Sequence, residues 1–229
     1  MFTPNHDNDY SAFIELSYTG CTFVVAALHK AKPFEKGRDR FLDVGCGTAR
    51  VALCVSATHE IPSVGFDVRS LCITEAKRLH DLVRDAGHLT PDSLVHLRVA
   101  DVITDSCSDC FTGVTHIWLN MKGSGDAEQT AALFRILKAN TCAVLAYSKG
   151  MEIFDTFIPP SARRTIAPTP KIRRGHGYGI ASRICVLDDA MRLDLLHTML
   201  GDFVYSKAKG VPPTSLATRY LVYTCLLLF

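Results

Sequence analysis

The sequence predicts one α/β domain of 229 residues, with a mostly parallel β-sheet of about seven strands and helices on both faces. Short apolar runs alternate with segments of helical periodicity, and this order requires crossover connections between parallel strands. The first of these runs leads into a glycine-rich turn. The composition, 48% hydrophobic and 21% charged, is that of a folded globular protein. The chain is long enough to bury a full hydrophobic core.

The elements follow one another in a regular order up to residue 150. Strands are predicted at 41–44, 63–66, 94–100, 116–119 and 143–148, and helices at 23–31, 49–58, 71–86 and 127–137. Prolines 159, 160, 168 and 170 then predict a long irregular segment. A strand at 180–187, a helix at 189–200 and a strand at 219–228 close the chain. The two late strands predict a hairpin-like pair, one of them antiparallel, added to the parallel sheet.

Membrane and metal functions find little support in the sequence. No apolar run reaches the roughly 18–20 residues that cross a bilayer, and residues 1–10 lack the basic start and apolar core of a signal peptide. Cys107 and Cys110 form a Cys-x-x-Cys pair without the further ligands that a zinc site needs. We therefore expect no membrane association and no metal.

The turn after the first strand carries the strongest signal for a ligand. Gly45 and Gly47 let the backbone turn sharply and approach a ligand, with Cys46 between them. Thr48 then leads into a helix whose free amides attract an anionic group. We expect these four residues to bind a cofactor.

Acidic residues end the next two strands and point to a nucleoside. Asp67 lies 24 residues after Asp43, close to the offset of about 20 at which a carboxylate accepts ribose hydroxyls. Val68 follows it, and at the next strand end Asp101 or Val102 can address an adenine ring. Because the carboxyl ends of parallel strands share one edge, these residues converge on one crevice.

The turn is shared by two classes of cofactor-binding protein. The dinucleotide fingerprint needs a third small residue, and Arg50 stands there. S-adenosylmethionine (SAM) carries no phosphate and tolerates that change. The run from Leu42 to Thr48 closely resembles the first motif of class I SAM-dependent methyltransferases, which have a Rossmann-like fold. In this resemblance Asp43 is the acid near the methionine amino group, and SAM is the expected cofactor.

Asn120 is the expected acceptor-side residue. It follows the fourth strand, where nucleic-acid amino methyltransferases carry Asn or Asp before Pro-Pro-aromatic, a stretch absent here. Its amide could orient an amine lone pair or bind the methionine part of SAM.

A further resemblance covers residues 16–150 and the last dozen. The runs Tyr18-Thr19-Gly20-Cys21-Thr22-Phe23, Ile117-Trp118-Leu119-Asn120, Ser148-Lys149 and Arg219-Tyr220-Leu221 resemble the non-SET histone lysine methyltransferases of the disruptor-of-telomeric-silencing family. The resemblance implies that residues 1–40 cover the cofactor and that 41–229 form the SAM-binding domain. It also implies that Tyr18 and Cys21 line SAM, and that Tyr18, Asn120 and Tyr220 position a lysine in a narrow channel.

The expected function is therefore histone lysine methylation by a nuclear protein. Gly20, Met121 and Lys122 depart from the family pattern. An RNA methyltransferase, nuclear or cytoplasmic, and a non-catalytic SAM-binding module are the alternatives. Basic residues cluster without an acid between 161 and 178, and such a segment can contact a polyanion such as nucleosomal DNA or RNA. They are Arg163, Arg164, Lys171, Arg173 and Arg174.

Overall fold

The computed structural model describes residues 16, 18–102, 111–121, 126–139, 144–148, 151–166 and 182–208. The strands are β1 (Phe41–Val44), β2 (Ser63–Asp67), β3 (Val95–Val99), β4 (His116–Leu119), β5 (Val144–Ser148), β6 (Arg163–Ile166) and β7 (Ser182–Val186). The helices are α1 (Tyr18–Ala31), α2 (Arg50–His59), α3 (Ser70–Asp85), α4 (Asp126–Ala139) and α5 (Asp189–Ala208). Short 3₁₀ turns lie at Pro91–Ser93, Glu152–Thr156 and Pro160–Ala162.

Within the described residues, the seven strands form one sheet in the order β3-β2-β1-β4-β5-β7-β6. β1 pairs in parallel with β2 and β4, β2 with β3, and β4 with β5. β7 is antiparallel to both β5 and β6. The predicted fold class, a mostly parallel Rossmann-like sheet with helices on both faces, is confirmed.

Alternating residues of the central strands feed two separate hydrophobic cores. Phe41, Trp118 and Ala146 face α1, α2 and α3. Leu42, Ile117 and Leu145 face α4 and α5 on the other side of the sheet. Because each central strand is buried on both faces, it reads in the sequence as a continuous apolar run.

Three expectations differ from the structure. The first helix begins at Tyr18 and not at residue 23, so the segment that resembles an opening loop is the first two turns of α1. Gly20 and Cys21 are buried there, and this packing outweighs the low helix propensity of glycine. The last helix extends to Ala208.

The third difference is β6, which lies in the segment predicted to be irregular. The prolines at 159 and 160 precede the strand, and Arg163–Ile166 pairs with β7 as an edge strand. The hairpin-like pair of the structure is therefore β6 and β7. The strand predicted at 219–228 lies outside the described residues. In the described part of the chain, no helix combines the length and the apolar character needed to cross a bilayer.

Candidate cofactor site

The turn after β1 is held against the ends of both neighbouring strands. The amides of Gly45 and Cys46 donate to the carbonyl oxygen of Phe66 at 2.9 and 3.0 Å. Gly45 has a φ of 68°, and a Cβ at this position would lie 2.4 Å from the carbonyl oxygen of Asn120. Only glycine fits this position, and it brings the turn into contact with the end of β4.

Asp67 lies directly beside this turn. The amide of Gly47 donates to Oδ2 of Asp67 at 3.0 Å, and the carboxylate is buried. The structure therefore brings together the glycine turn and the acid that the sequence predicts as a pair.

Arg69 donates three hydrogen bonds to the same Asp67 carboxylate, and no motif in the sequence predicted this contact. Its Nε donates to Oδ1 of Asp67 at 2.9 Å and its Nη2 donates to Oδ2 at 3.0 Å. The Arg69 backbone amide also donates to Oδ1, at 3.0 Å. The Asp-x-Arg spacing is the sequence signal that could have revealed this pair.

Asp43 is a second buried acid at the same edge. It lies on β1, and its Oδ2 accepts the amide of Ala52 at 3.2 Å. Burial, with a smaller contribution from the charge of Asp67, raises the pKa of Asp43 to about 7, against the lowering effect of the Ala52 hydrogen bond. A cationic group placed beside Asp43 would favour its ionised form.

Three buried polar atoms at the carboxyl edge of the sheet have no hydrogen-bond partner in the described residues: Thr48 Oγ1, Asn120 Oδ1 and Ser148 Oγ. Asn120 and Ser148 follow Leu119 and Tyr147, which are partners in the β4–β5 register, so they lie at one level of the sheet. Ser148 is only 2% exposed. Because buried polar groups almost always have partners, these three atoms are candidates for contact with a polar ligand.

The first turns of α1 reach the same region. The carbonyl oxygen of Leu16 accepts weak contacts from Arg50 Nη1 at 3.5 Å and from Cys21 Sγ at 3.9 Å. Cys21 is buried and contributes to the core, whereas Tyr18 is 77% exposed. The structure thus places Cys21 near the start of α2 and leaves Tyr18 open to solvent.

The predicted adenine residues lie at the β2 and β3 ends. The Ala100 amide donates to the Asp67 carbonyl oxygen at 3.2 Å, and Asp101 is the next residue along the chain. Val102 is buried, and Val68 is 53% exposed. Val68 is therefore an apolar side chain open to solvent next to the buried carboxylate of Asp67.

Cys46 turns away from this opening. Its side chain packs over Gly65, where a Cβ would lie 3.2 Å from Sγ. Burial, followed by the charges of Asp43 and Asp67, raises the pKa of the Cys46 thiol well above its ordinary value. Cys46 therefore shapes the turn and offers no thiolate.

The basic segment is described only in part. Arg163 Nη1 pairs with Asp155 Oδ1 at 2.9 Å, so its charge is already compensated within the protein. Arg164 is exposed on β6. Tyr220, Lys171, Arg173 and Arg174 lie outside the described residues, as do Cys107 and Cys110. Within the described part of the chain, no group of three or more His, Cys, Asp or Glu side chains could hold a metal ion.

Comparison with solved structures identifies the architecture. Magnesium protoporphyrin IX methyltransferase from Synechocystis PCC 6803, solved with bound SAM, is 14% identical with a TM-score of 0.54, over 74% of this chain and 78% of that chain. The methyltransferase domain of bacterial CtHen1-C is also 14% identical with a TM-score of 0.54, over 75% of this chain and 98% of that chain. The chain has the class I SAM-dependent methyltransferase fold.

No protein-family model matches the sequence, and no curated protein matches it. At this level of identity, the structural likeness establishes the fold. The class I fold places its ligand crevice at the carboxyl edge of the sheet, where Gly45, Asp67 and Asn120 meet.

Proposed function

We propose that this chain is a SAM-dependent methyltransferase that methylates lysine side chains, with histones as its substrates. The 3.0 Å hydrogen bond from the Gly47 amide to Asp67 Oδ2 carries the first half of this proposal. This bond joins two parts of the site. One is a glycine turn whose backbone a ligand can approach closely, and the other is a carboxylate that can accept hydrogen bonds from ribose hydroxyls.

The residues at this edge fit SAM. Asp43 offers a buried negative charge for the amino group of the methionine part, and Val68 offers an apolar surface for the adenine ring. Thr48 Oγ1 needs a partner that a polar ligand can supply. Bound there, SAM supplies an electrophilic methyl group on a sulfonium sulfur.

An amine is the acceptor that these residues favour. Asn120 Oδ1 can only accept a hydrogen bond, and Ser148 Oγ lies one strand further along at the same level. The N–H groups of a primary amine match two such acceptors. Because these atoms are buried, desolvation favours the neutral amine, whose lone pair is required for attack. We assign no general base, since the proton leaves to solvent before transfer.

The resemblance of residues 16–23 and 117–120 to the non-SET histone lysine methyltransferases supports lysine as that amine. For the partner we propose the nucleosome, contacted through Arg164, Lys171, Arg173 and Arg174. Such cations neutralise DNA phosphates and release counterions. A nuclear location follows from this substrate.

Radiolabelled SAM separates this proposal from its alternatives. The protein is incubated with labelled SAM and, in parallel, with nucleosomes or total RNA, and the labelled residue is located by mass spectrometry. We expect label on a histone lysine. An Asn120→Ala variant, which removes the acceptor amide, should bind SAM and lose most of the transfer rate.

Three other outcomes would replace the proposal. Label in RNA alone would make the chain an RNA methyltransferase. Tight SAM binding without transfer to any pool would make it a binding module. No detectable SAM binding by calorimetry would show that SAM is not the cofactor.

A further inference from the structure

The carboxylate of Asp67 has no acceptor position left for a ribose. A carboxylate offers about four lone-pair positions. In this structure four donors lie at 2.9–3.0 Å from its two oxygens: the Gly47 amide, the Arg69 amide, and the Nε and Nη2 of Arg69. A ribose diol needs two acceptor positions on the same carboxylate, so two of these donors must leave before it can bind.

The Arg69 side chain is the part that can leave. The Gly47 amide belongs to a turn that is anchored to Phe66 by two further hydrogen bonds. The Arg69 amide is fixed at the start of α3. The Arg69 side chain, by contrast, is 24% exposed, whereas that of Asp67 is 3% exposed. Because it is partly exposed, the Arg69 side chain can turn towards solvent.

We propose that Arg69 is a gate on the ribose subsite. Its guanidinium occupies the two acceptor positions of Asp67 that the hydroxyls of a ribose diol would use, and it must be displaced before a nucleoside cofactor binds. This inference rests on the proposed cofactor site. The gate lowers affinity for every ligand with a ribose diol, because such a ligand must first break a bidentate ion pair. A ligand without the diol leaves Arg69 in place and loses nothing to it.

The pairing is strong enough to matter for affinity. Charge-assisted, bidentate contacts between arginine and carboxylate are among the stronger hydrogen bonds in proteins. The hydrogen bond to Asp67 and its charge raise the pKa of the Arg69 guanidinium, despite the opposing effect of partial burial. Arg69 therefore lowers the affinity for the cofactor, although it is not one of the acids or glycines of the cofactor-binding motif.

Calorimetry with two nucleosides tests the gate. Arg69→Met removes the guanidinium and keeps the aliphatic stem. We expect this variant to bind adenosine about tenfold more tightly than the unaltered protein, which is the order of one charged hydrogen bond. Its affinity for 2′,3′-dideoxyadenosine, which cannot donate to Asp67, should stay unchanged. The gain in discrimination between the two nucleosides is the signature that a merely structural role would not produce.

Arg78→Met is the matched control. Arg78 lies on α3, the helix that Arg69 precedes, and makes the same bidentate contact with a carboxylate, at 2.7 and 2.8 Å to Glu75, on the exposed surface. It should bind both nucleosides like the unaltered protein. Equal or weaker adenosine binding by Arg69→Met would overturn the gate. Absence of adenosine and S-adenosylhomocysteine binding by both proteins would instead overturn the proposed cofactor site, and the gate with it.

A measurement on the unaltered chain covers the case in which Arg69→Met does not fold. The Nε–H signal of Arg69 in a ¹⁵N NMR spectrum, assigned with Arg69→Lys, should be protected from exchange with water before ligand is added. Saturation with S-adenosylhomocysteine should abolish that protection. A signal that keeps its position and protection at saturation would show that the ion pair stays closed, and the proposal would then be wrong.

Discussion

Gly45 is the residue at which the turn and the end of β4 come closest. Replacing it with alanine places a Cβ 2.4 Å from the Asn120 carbonyl oxygen, at a φ of 68°. We expect Gly45→Ala to lower the free energy of unfolding by about 2–5 kcal/mol, because a left-handed conformation costs about 1–2 kcal/mol and the clash adds about 1–3.

Gly37 provides the control for this prediction. Its φ is 78°, and a Cβ there would meet nothing within 4 Å. Gly37→Ala should therefore cost about 1–2 kcal/mol, the conformational part alone. Urea unfolding of both variants measures the difference, and equal losses would show that the contact with β4 has no energetic consequence.

We expect Asp43 to make the proposed SAM binding depend on pH. Burial raises its pKa to about 7, so it is mostly neutral below that pH. A cationic ligand favours the carboxylate, and binding below pH 7 then requires the loss of a proton. We expect the affinity for SAM to fall by up to about tenfold for each pH unit between pH 7 and 5.5. Calorimetry over this range should show little slope for Asp43→Asn. An equal slope in that variant would assign the titration to another group.

At the residue scale, the sequence predicted the glycines and Asp67 because both signals are local. A strand, a glycine turn and an acid at the next strand end are read directly along the chain. Ala49 was not predicted to adopt a left-handed φ of 58°, since alanine has no preference for it. Arg69 was passed over because its importance depends on which atoms already bond to Asp67.

Among the elements, β1, β2 and β4 were predicted well because a strand buried on both faces is a continuous apolar run. β6 was missed, since its two arginines and the preceding prolines are typical of a loop. Its pairing depends on contacts that are distant in sequence. Asp155, in the 3₁₀ turn Glu152–Thr156, accepts the Tyr147 hydroxyl of β5 at 2.6 Å and pairs with Arg163 of β6. Such a cross-link between elements leaves no local signal.

Asp155 should therefore stabilise the β5–β7–β6 end of the sheet. It pairs with Arg183 of β7 as well, at 3.4 Å. Asp155→Ala leaves the Tyr147 hydroxyl without its acceptor and two arginines without their counter-ion. We expect a loss of about 1–3 kcal/mol in the free energy of unfolding, because removing one partner of a partly buried hydrogen bond costs about that much. Urea unfolding measures it.

Glu75→Ala is the control for this prediction. Glu75 also bonds an arginine through two contacts, but it is exposed on α3, where solvent screening leaves such pairs little effect on stability. Although burial acts to raise it, the Tyr147 hydroxyl and Arg163 hold the pKa of Asp155 below its ordinary value of 3.8. The Asp155 contribution should thus persist at pH 5 and be lost below about pH 4. A loss no larger than that of Glu75→Ala would show that the network adds no stability.

Across the whole molecule, titratable groups lie at opposite edges of the sheet and act on stability in opposite directions. At the amino edge, His116 packs against Phe34 at a ring distance of 4.2 Å, and His59 stacks on His29 at 4.6 Å. Burial lowers the pKa of His116, and burial with the charge of His29 lowers that of His59. Their contribution to stability is present above pH 6.5 and is lost as the pH falls below it.

Asp43, at the carboxyl edge, changes stability with pH in the opposite direction. Its folded pKa is raised from 3.8 to about 7, so the folded protein binds an extra proton between these values and loses stability as the pH rises through them. In the unaltered protein this loss offsets the gain from the two histidines between pH 5 and 7. The buried carboxyl group of Asp43 thus lowers the stability of the fold at neutral pH.

Asp43→Asn should separate the two effects. Asparagine keeps an oxygen that can accept the Ala52 amide and cannot ionise. We expect the variant to be more stable than the unaltered protein at pH 7.5, by at most about 4 kcal/mol from the pKa shift, and to have nearly equal stability at pH 4. Its unfolding free energy should rise from pH 5 to 7, since the histidines then act unopposed.

Urea unfolding at each pH can be followed by the fluorescence of Trp118, the one tryptophan of the chain, which is buried. Adding His59→Phe, which keeps an aromatic ring against Phe34, should reduce that rise. A variant whose stability follows the same pH curve as the unaltered protein would show that Asp43 is not the group whose burial opposes folding at neutral pH.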